Sequence, residues 1–342
     1  MSYKVGLDIS GGDHSPLEPL RGAALARADG ISLVLIGLEN EIVSAAQATG
    51  IDLADFEIVN TQEKIEMAES PVSSVRKKRD SSIVVGINLL KEKKIDAFVS
   101  CGNTGAVVCA GTLGIGLIPG IERAGIGILL PTLHGICLLI DVGANIDPKP
   151  LHLFQYGIMA DTYYASVLGK VKPTVGLLNI GEEETKGPDF VKVTHHLFSQ
   201  SSLNYIGNLE ARDIFLGKCD CIVCGGYVGN VALKVSEGLT EALTKFLWNS
   251  AKEDFLGRVG LLFMKRSLRR FKKLVDYAEY GGAPLLGIDG VVIIGHGRSH
   301  AYAIKNAIKV AVQELDRAVN TEIKRRIDEI SQDNRFREIF TS

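Results

Sequence analysis

The sequence predicts an α/β protein, a largely parallel sheet covered by helices on both faces, and three observations carry that reading. Apolar runs of strand length recur along the chain, and most are near-continuous rather than alternating, as in strands buried on both sides. Helical patterns lie between these runs. Glycine is frequent, 37 of 342 residues, which suits many tight strand-to-helix turns.

In chain order the strand-like runs are YKVGLDI (3–9), ISLVLIG (31–37), FEIVN (56–60), IDAFVS (95–100), GIGILL (125–130) and GICLLID (135–141). PTVGLLNI (173–180), LNYIG (203–207), CDCIVC (219–224) and GVVIIG (290–295) follow. Helical spacing appears at Pro16–Ala28, Glu39–Ala48, Ile83–Lys93, Leu151–Leu168, Phe190–Phe198 and Val228–Trp248. A further helix is expected after the small-residue turn Gly102–Gly105. The adjacent runs 125–130 and 135–141, joined by PTLHG, read as a hairpin. Residues 245–280 break the rhythm, being mostly helical with no strand. Between Leu256 and Val275 they carry seven Lys or Arg and no acid, interleaved with bulky apolar residues. With no repeat and no low-complexity linker, residues 1–342 read as one intertwined domain, with 245–280 as an amphipathic basic helical excursion.

Apolar residues make up 46% and charged residues 23% of the chain, ordinary globular values. The net charge of −2 creates no field that attracts nucleic acid, and none is expected as a partner. The opening MSYKVGLDIS is too short for a signal peptide and breaks at Asp8. The stretch AGIGILLPTLHGICLLI is interrupted by Pro131 and His134, so no membrane span is expected. Six cysteines lying mostly in apolar runs point to reduced thiols and a cytoplasmic setting.

Chemistry in open α/β sheets gathers at the carboxyl ends of strands. Six such ends lead here into polar, glycine-rich loops: SGGDHSP, CGNTGA, DVGANID, GEEETKG, GGYVGN and HGRSH. Converging on one rim, they would form a pocket rich in backbone N–H groups and amides, with one Lys and one Arg, suited to an anion. Neither G-x-G-x-x-G nor G-x-x-x-x-G-K-[ST] occurs, so a small free anion such as phosphate fits better than a nucleotide. The spacing C-x-C-x-x-C at Cys219, Cys221 and Cys224 suggests a metal. Its apolar strand context and the lack of a second pair favour buried structural thiols, and no metal or cofactor is expected.

Taken in order, GLDISGGDHSP, SCGNTGA, LIDVGAN, LLNIGEEETKG, NLEARDI, VCGGYVGNVALKVSEG and GGAPLLGIDG followed by HG resemble the bacterial phosphate acyltransferase family of phospholipid synthesis, over about residues 3–310. The resemblance implies an α/β/α sandwich similar to the isopropylmalate dehydrogenase and phosphotransacetylase group. It also implies a homodimer that transfers a long-chain acyl group from acyl carrier protein to inorganic phosphate. The acyl phosphate would then pass to a membrane glycerol-3-phosphate acyltransferase. Within the same fold group, a phosphotransacetylase-like enzyme using coenzyme A stands as an alternative, and a non-catalytic scaffold for carrier or lipid is another. Three positions depart from the family pattern: Ser10 replaces a usual Met, Cys101 a usual Ala, and Gly225 a usual Asp.

Phosphate is already anionic and a thioester has a good leaving group, so holding the phosphate and stabilising the oxyanion matter more than a strong base. Lys186, after three carboxylates, reads either as a catalytic cation or as a solvated loop lysine paired with Glu183 or Glu184. Asn230 reads as an oxyanion donor, a helix cap, or both. Gly12, Asp13, His14, Gly102, Asn103, Thr104, Gly105, Asn145, Gly229 and His296 are the expected phosphate or substrate contacts. Asp13 also suits a helix cap, and His14 a hydrogen bond within its own turn. Cys101 is not expected to act as a nucleophile. In the basic segment, Leu262, Phe263, Lys265, Arg266, Arg269 and Arg270 are expected to meet the acidic carrier or an anionic, peripheral membrane surface.

Overall fold

The computed structural model describes residues 3–253, 255–275, 281–336 and 339–340, with the side chains of 256–258, 262, 269, 270 and 272–275 outside that description. Among the described residues the strands are β1 (Lys4–Asp8), β2 (Ser32–Gly37), β3 (Glu57–Asn60), β4 (Ala97–Ser100), β5 (Gly125–Thr132) and β6 (Gly135–Ile140). They continue with β7 (Thr174–Leu178), β8 (Asn204–Leu209), β9 (Cys221–Val223), β10 (Ala283–Leu286) and β11 (Val291–Ile294). The helices are α1 (Leu17–Ala28), α2 (Glu39–Thr49), α3 (Pro71–Lys77), α4 (Ser82–Lys91), α5 (Thr104–Gly114) and α6 (Pro150–Leu168). Then come α7 (Asp189–Gln200), α8 (Gly226–Lys252), α9 (Phe255–Val275), α10 (Ala301–Asp316) and α11 (Val319–Ser331).

One sheet runs in the order β3-β2-β1-β4-β11-β10-β5-β6-β9-β7-β8. The strands β3, β2, β1, β4 and β11 are mutually parallel, and so are β6, β9, β7 and β8. Between the two groups, β10 and β5 pair antiparallel with each other and with their neighbours, so the groups point in opposite directions. The hairpin expected from 125–141 is the β5–β6 pair. Strand β10 has no counterpart in the sequence reading. It is four residues long and contains Pro284, which removes a ladder donor and masks a strand signal.

This topology corrects the expectation that six carboxyl ends share one rim, and the register shows how some of them still meet. Ile294 at the end of β11 lies opposite Ala283. Two residues further along β10, Leu285 faces Ile126, and the next residue of β5, Gly127, faces Ile140 at the end of β6. The ends of the two opposed groups therefore lie at nearly the same height, and their loops enclose the gap from opposite sides.

Helices on both faces bury the sheet. Leu7, Leu35, Val99 and Ile293 pack with Leu20, Ile304 and Ile308 in one cluster. Ile140, Val175 and Val223 pack with the almost wholly buried α6 in another. Helices α8 and α9 leave this body: only Gly226 and Gly229 of α8 are buried. The excursion expected at 245–280 thus starts earlier, with α8 itself, and residues 276–280 lie outside the described ones.

Candidate active site

Two buried aspartates at strand ends shape the loops around the gap. Asp8, ending β1, accepts hydrogen bonds from the Ser10 N–H at 3.1 Å and the Ser100 hydroxyl at 2.7 Å. Asp141, just beyond β6, accepts four backbone N–H groups, from Ile126, Gly143, Ala144 and Asn145, at 2.8–3.0 Å. Burial nevertheless pushes both carboxyls above their ordinary value, because desolvation of the charged form outweighs these donors. The Asp13 N–H bonds the Gly297 carbonyl at 2.7 Å, fastening the loop after β1 to the loop after β11.

Glycine is required where backbones touch. A Cβ on Gly11 would lie 2.4 Å from the Asp8 carboxylate, and one on Gly229 would lie 2.0 Å from the Asp141 carbonyl. The first turn of α8 is therefore laid directly on the 141–145 loop. Gly225 is the N-cap of α8 and offers no side-chain bond. The aspartate usual at this position would cap the helix, and glycine replaces a capping side chain at a cost of only a few tenths of a kcal/mol. Ser10 is buried, and its hydroxyl accepts the Leu38 N–H at 3.4 Å. Both departures sit in backbone-supporting positions.

A polar cleft of about 280 Å³ opens where the two groups of strands meet. Asp13 and Thr104 line it from one side, Asn230, Lys234 and Glu237 from α8, and His296 and Arg298 from the loop after β11; Ile126, Ile128 and Val142 form an apolar floor. Lys234 Nζ lies 2.8 Å from Glu237 Oε2 and 3.5 Å from His296 Nε2. His296 Nδ1 accepts the Arg298 backbone N–H at 3.1 Å. Burial first, then the Lys234 charge, hold the imidazole below its ordinary value. The lining carries two cations, Lys234 and Arg298, and two carboxylates, Asp13 and Glu237, so an anion here would be held by directed donors and not by a net positive charge.

Of the expected site residues, Asp13, Thr104, Asn230 and His296 line the cleft. Gly12 lies against the Gly297 and Cys101 carbonyls, and Gly105 packs on Pro71. The Gly102 N–H bonds the Ser100 hydroxyl at 3.0 Å. The Asn103 amide is spent locally: it donates to Met67 O and Glu69 O, while its carbonyl accepts Ala106 N–H and caps α5. Asn145 donates to Ala124 O and Tyr156 Oη beneath the site, and Gly229 is a packing position. His14 is exposed and stacks on His300, ring centroids 4.9 Å apart. Lys186 is not brought to the cleft. It is exposed on the β7–α7 loop, whose Asn179, Ile180 and Pro188 border a different, apolar groove.

Lys234 and Glu237 were not singled out in the sequence, although a signal for them was present, and Arg298 entered only as the one Arg of the converging loops. Asn230, Lys234 and Glu237 are spaced by four and three, one face of a helix. Cys219, Cys221 and Cys224 are buried, and burial raises all three thiols, Cys219 to about 11. Cys101, buried in another part of the core, is pushed up to about 12, far from the thiolate a nucleophile needs. On α9, Phe263 is 86% exposed, with Lys265 and Arg266 exposed beside it. The side chains of Leu262, Arg269 and Arg270 lie outside the described residues. Among the described residues no helix is long and apolar enough to cross a membrane.

Comparisons with known proteins show the family and the fold. Residues 3–322 match the family model described as a fatty acid synthesis protein. The phosphate acyltransferase of Dictyoglomus turgidum is 45% identical over 331 residues, covering 96% of this chain and 98% of that one. That of Pelotomaculum thermopropionicum is 41% identical over 331 residues, covering 96% of each. Among solved structures, phosphotransacetylases from Staphylococcus aureus and Streptococcus pyogenes share the fold, with TM-scores of 0.61 and 0.62 at 15% and 18% identity. Each comparison covers 92% of this chain and 94% of the other. By sequence over nearly its whole length, the chain belongs to the phosphate acyltransferase family of fatty acid and phospholipid synthesis.

Proposed function

We propose that the chain transfers a long-chain fatty acyl group from acyl carrier protein to inorganic phosphate. The observation that carries this reading is the cleft of about 280 Å³, lined by Asn230 and Lys234 from one face of α8 and by Arg298 from the loop after β11. Phosphate binds between the Lys234 ammonium and the Arg298 guanidinium. One of its oxygens attacks the thioester carbonyl carbon, and the Asn230 amide N–H donates to the oxyanion that forms. As the intermediate collapses, the new O–C bond remains, the C–S bond breaks, and the electron pair leaves on sulfur. That thiolate takes up a proton, and the acyl phosphate gives up the one the phosphate carried. His296, held below its ordinary value, lines the same space without adding a competing cation.

Lys186, beyond α8 from this cleft, contacts the carrier-bound substrate rather than the phosphate. Phe263, Lys265 and Arg266 on α9 offer apolar and cationic groups to the acidic carrier or to an anionic membrane surface. A second copy of the chain covers the exposed Phe246, Leu247 and Trp248 of distal α8. The test is turnover of palmitoyl carrier protein with and without phosphate, trapping acyl phosphate with hydroxylamine. Product that requires phosphate supports the reading, and carrier binding without product overturns it. Running coenzyme A thioesters in parallel tells this activity from that of a phosphotransacetylase.

A further inference from the structure

The polar cleft has room for phosphate and a thioester carbonyl, but at about 280 Å³ it does not hold a long acyl chain as well. A second cavity of about 980 Å³ lies along the other flank of α8. Val228, Val231, Val235, Leu239 and Leu243 form its α8 wall, facing the end of β7, Phe190 and the turn at Ile214. These α8 positions repeat at three and four residues, one apolar stripe opposite the Asn230–Lys234–Glu237 face. Arg212 at the rim is already paired with Glu210 at 3.0 Å, so the groove presents no unspent charge to a polar ligand.

We propose that this groove holds the fatty acyl chain of the substrate and sets its preferred length, an inference that rests on the acyl-transfer reading above. The occupant must be long, apolar and linked to the reaction centre. The groove opens at Gly225 and Val228, the turn that leads into Asn230. Gly226 and Gly229 face the 141–145 loop, so the crossing from cleft to groove runs over the exposed side of this turn, past Tyr227 and Val228. From Val228 to Leu243 the helix rises roughly 22 Å. A zigzag of sixteen carbons with bonds of about 1.5 Å reaches a similar length, on the order of 20 Å.

The experiment compares kcat/KM for palmitoyl and octanoyl carrier thioesters in the wild type and in two variants. Val235→Trp adds bulk inside the groove at a position 63% exposed, so the core is not disturbed. Gly238→Trp adds similar bulk where a side chain meets open space. Each methylene kept out of an apolar site costs about fourfold in affinity. Val235→Trp is therefore expected to lower the palmitoyl-to-octanoyl ratio at least tenfold, and Gly238→Trp to leave it within twofold. An unchanged ratio in Val235→Trp overturns the inference while leaving the acyl-transfer reading intact. A parallel fall for both chain lengths, with loss of a dimer in sedimentation, also overturns it and identifies the groove as the seat of a second copy. If the wild type makes no acyl phosphate from either thioester, the acyl-transfer reading fails and the inference falls with it.

Discussion

Lys234 Nζ stands 3.5 Å from His296 Nε2 and 2.8 Å from Glu237 Oε2, joining a helix that follows β9 to a loop that follows β11. The two come from opposite groups of strands, and their meeting is what turns the middle of the sheet into a cleft. Burial first and the ammonium second hold the imidazole below its ordinary value.

That coupling has a sign. Replacing Lys234 by Gln removes a charge that disfavours the imidazolium and leaves Glu237 unpaired beside it. The His296 pKa is therefore expected to rise, toward or above the ordinary imidazole value of about 6.5. An NMR pH titration of the ring in both proteins checks this, and a pKa that falls or stays put would contradict the arrangement. In the wild type the acid limb of kcat/KM should lie below that ordinary value and move with the ring.

Asn230 and Lys186 should separate kinetically. Asn230→Ala removes the proposed oxyanion donor and should lower kcat by about 10²–10³-fold with little change in KM for phosphate. Lys186→Ala, outside the cleft, should raise KM for the carrier-bound substrate several-fold and spare kcat. Steady-state kinetics with each substrate varied in turn decides it. A kcat loss of equal size for Lys186→Ala would place that lysine at the reacting atoms.

Asp141 holds four N–H donors with two carboxylate oxygens, and an amide can face only some of them. Asp141→Asn leaves at least one buried donor against an NH₂ group. It should cost about 1–3 kcal/mol, and somewhat more if the first turn of α8 loosens. Thermal denaturation reads the loss directly. A stability within error of wild type would show that the loop does not depend on this carboxylate.

Glu314 on α10 is 3% exposed, its Oε1 has no hydrogen-bond partner, and burial alone raises its pKa to about 8. The folded state thus keeps a proton that the unfolded chain loses near its ordinary value of 4.5. The stability this proton supports is fully present below about 4.5 and is lost as pH rises to about 8. Glu314→Gln removes the loss. Its gain in melting temperature over wild type should be small at pH 5 and several degrees at pH 8.5; a gain independent of pH would refute the assignment.

Much of the fold was legible because near-continuous apolar runs and helical spacings are local properties. Ten of the strands, the β5–β6 hairpin and the long helix after CDCIVC follow from them. Strand β10 was hidden by its length and by Pro284. Without it the antiparallel crossing in the middle of the sheet could not be inferred, nor could the opposite directions of the two groups.

The sequence by itself determined the α/β class, the glycine loops and the family, because each is written in contiguous residues. Only the tertiary structure decided which of those loops face one another. It set Lys234, His296 and Arg298 around Asn230, turned the Asn103 and Asn145 amides inward to hold backbone, and left Lys186 beside the apolar groove. The reason is physical: a site between oppositely running strands depends on strand order, direction and register, and these are set by packing among residues far apart in the chain.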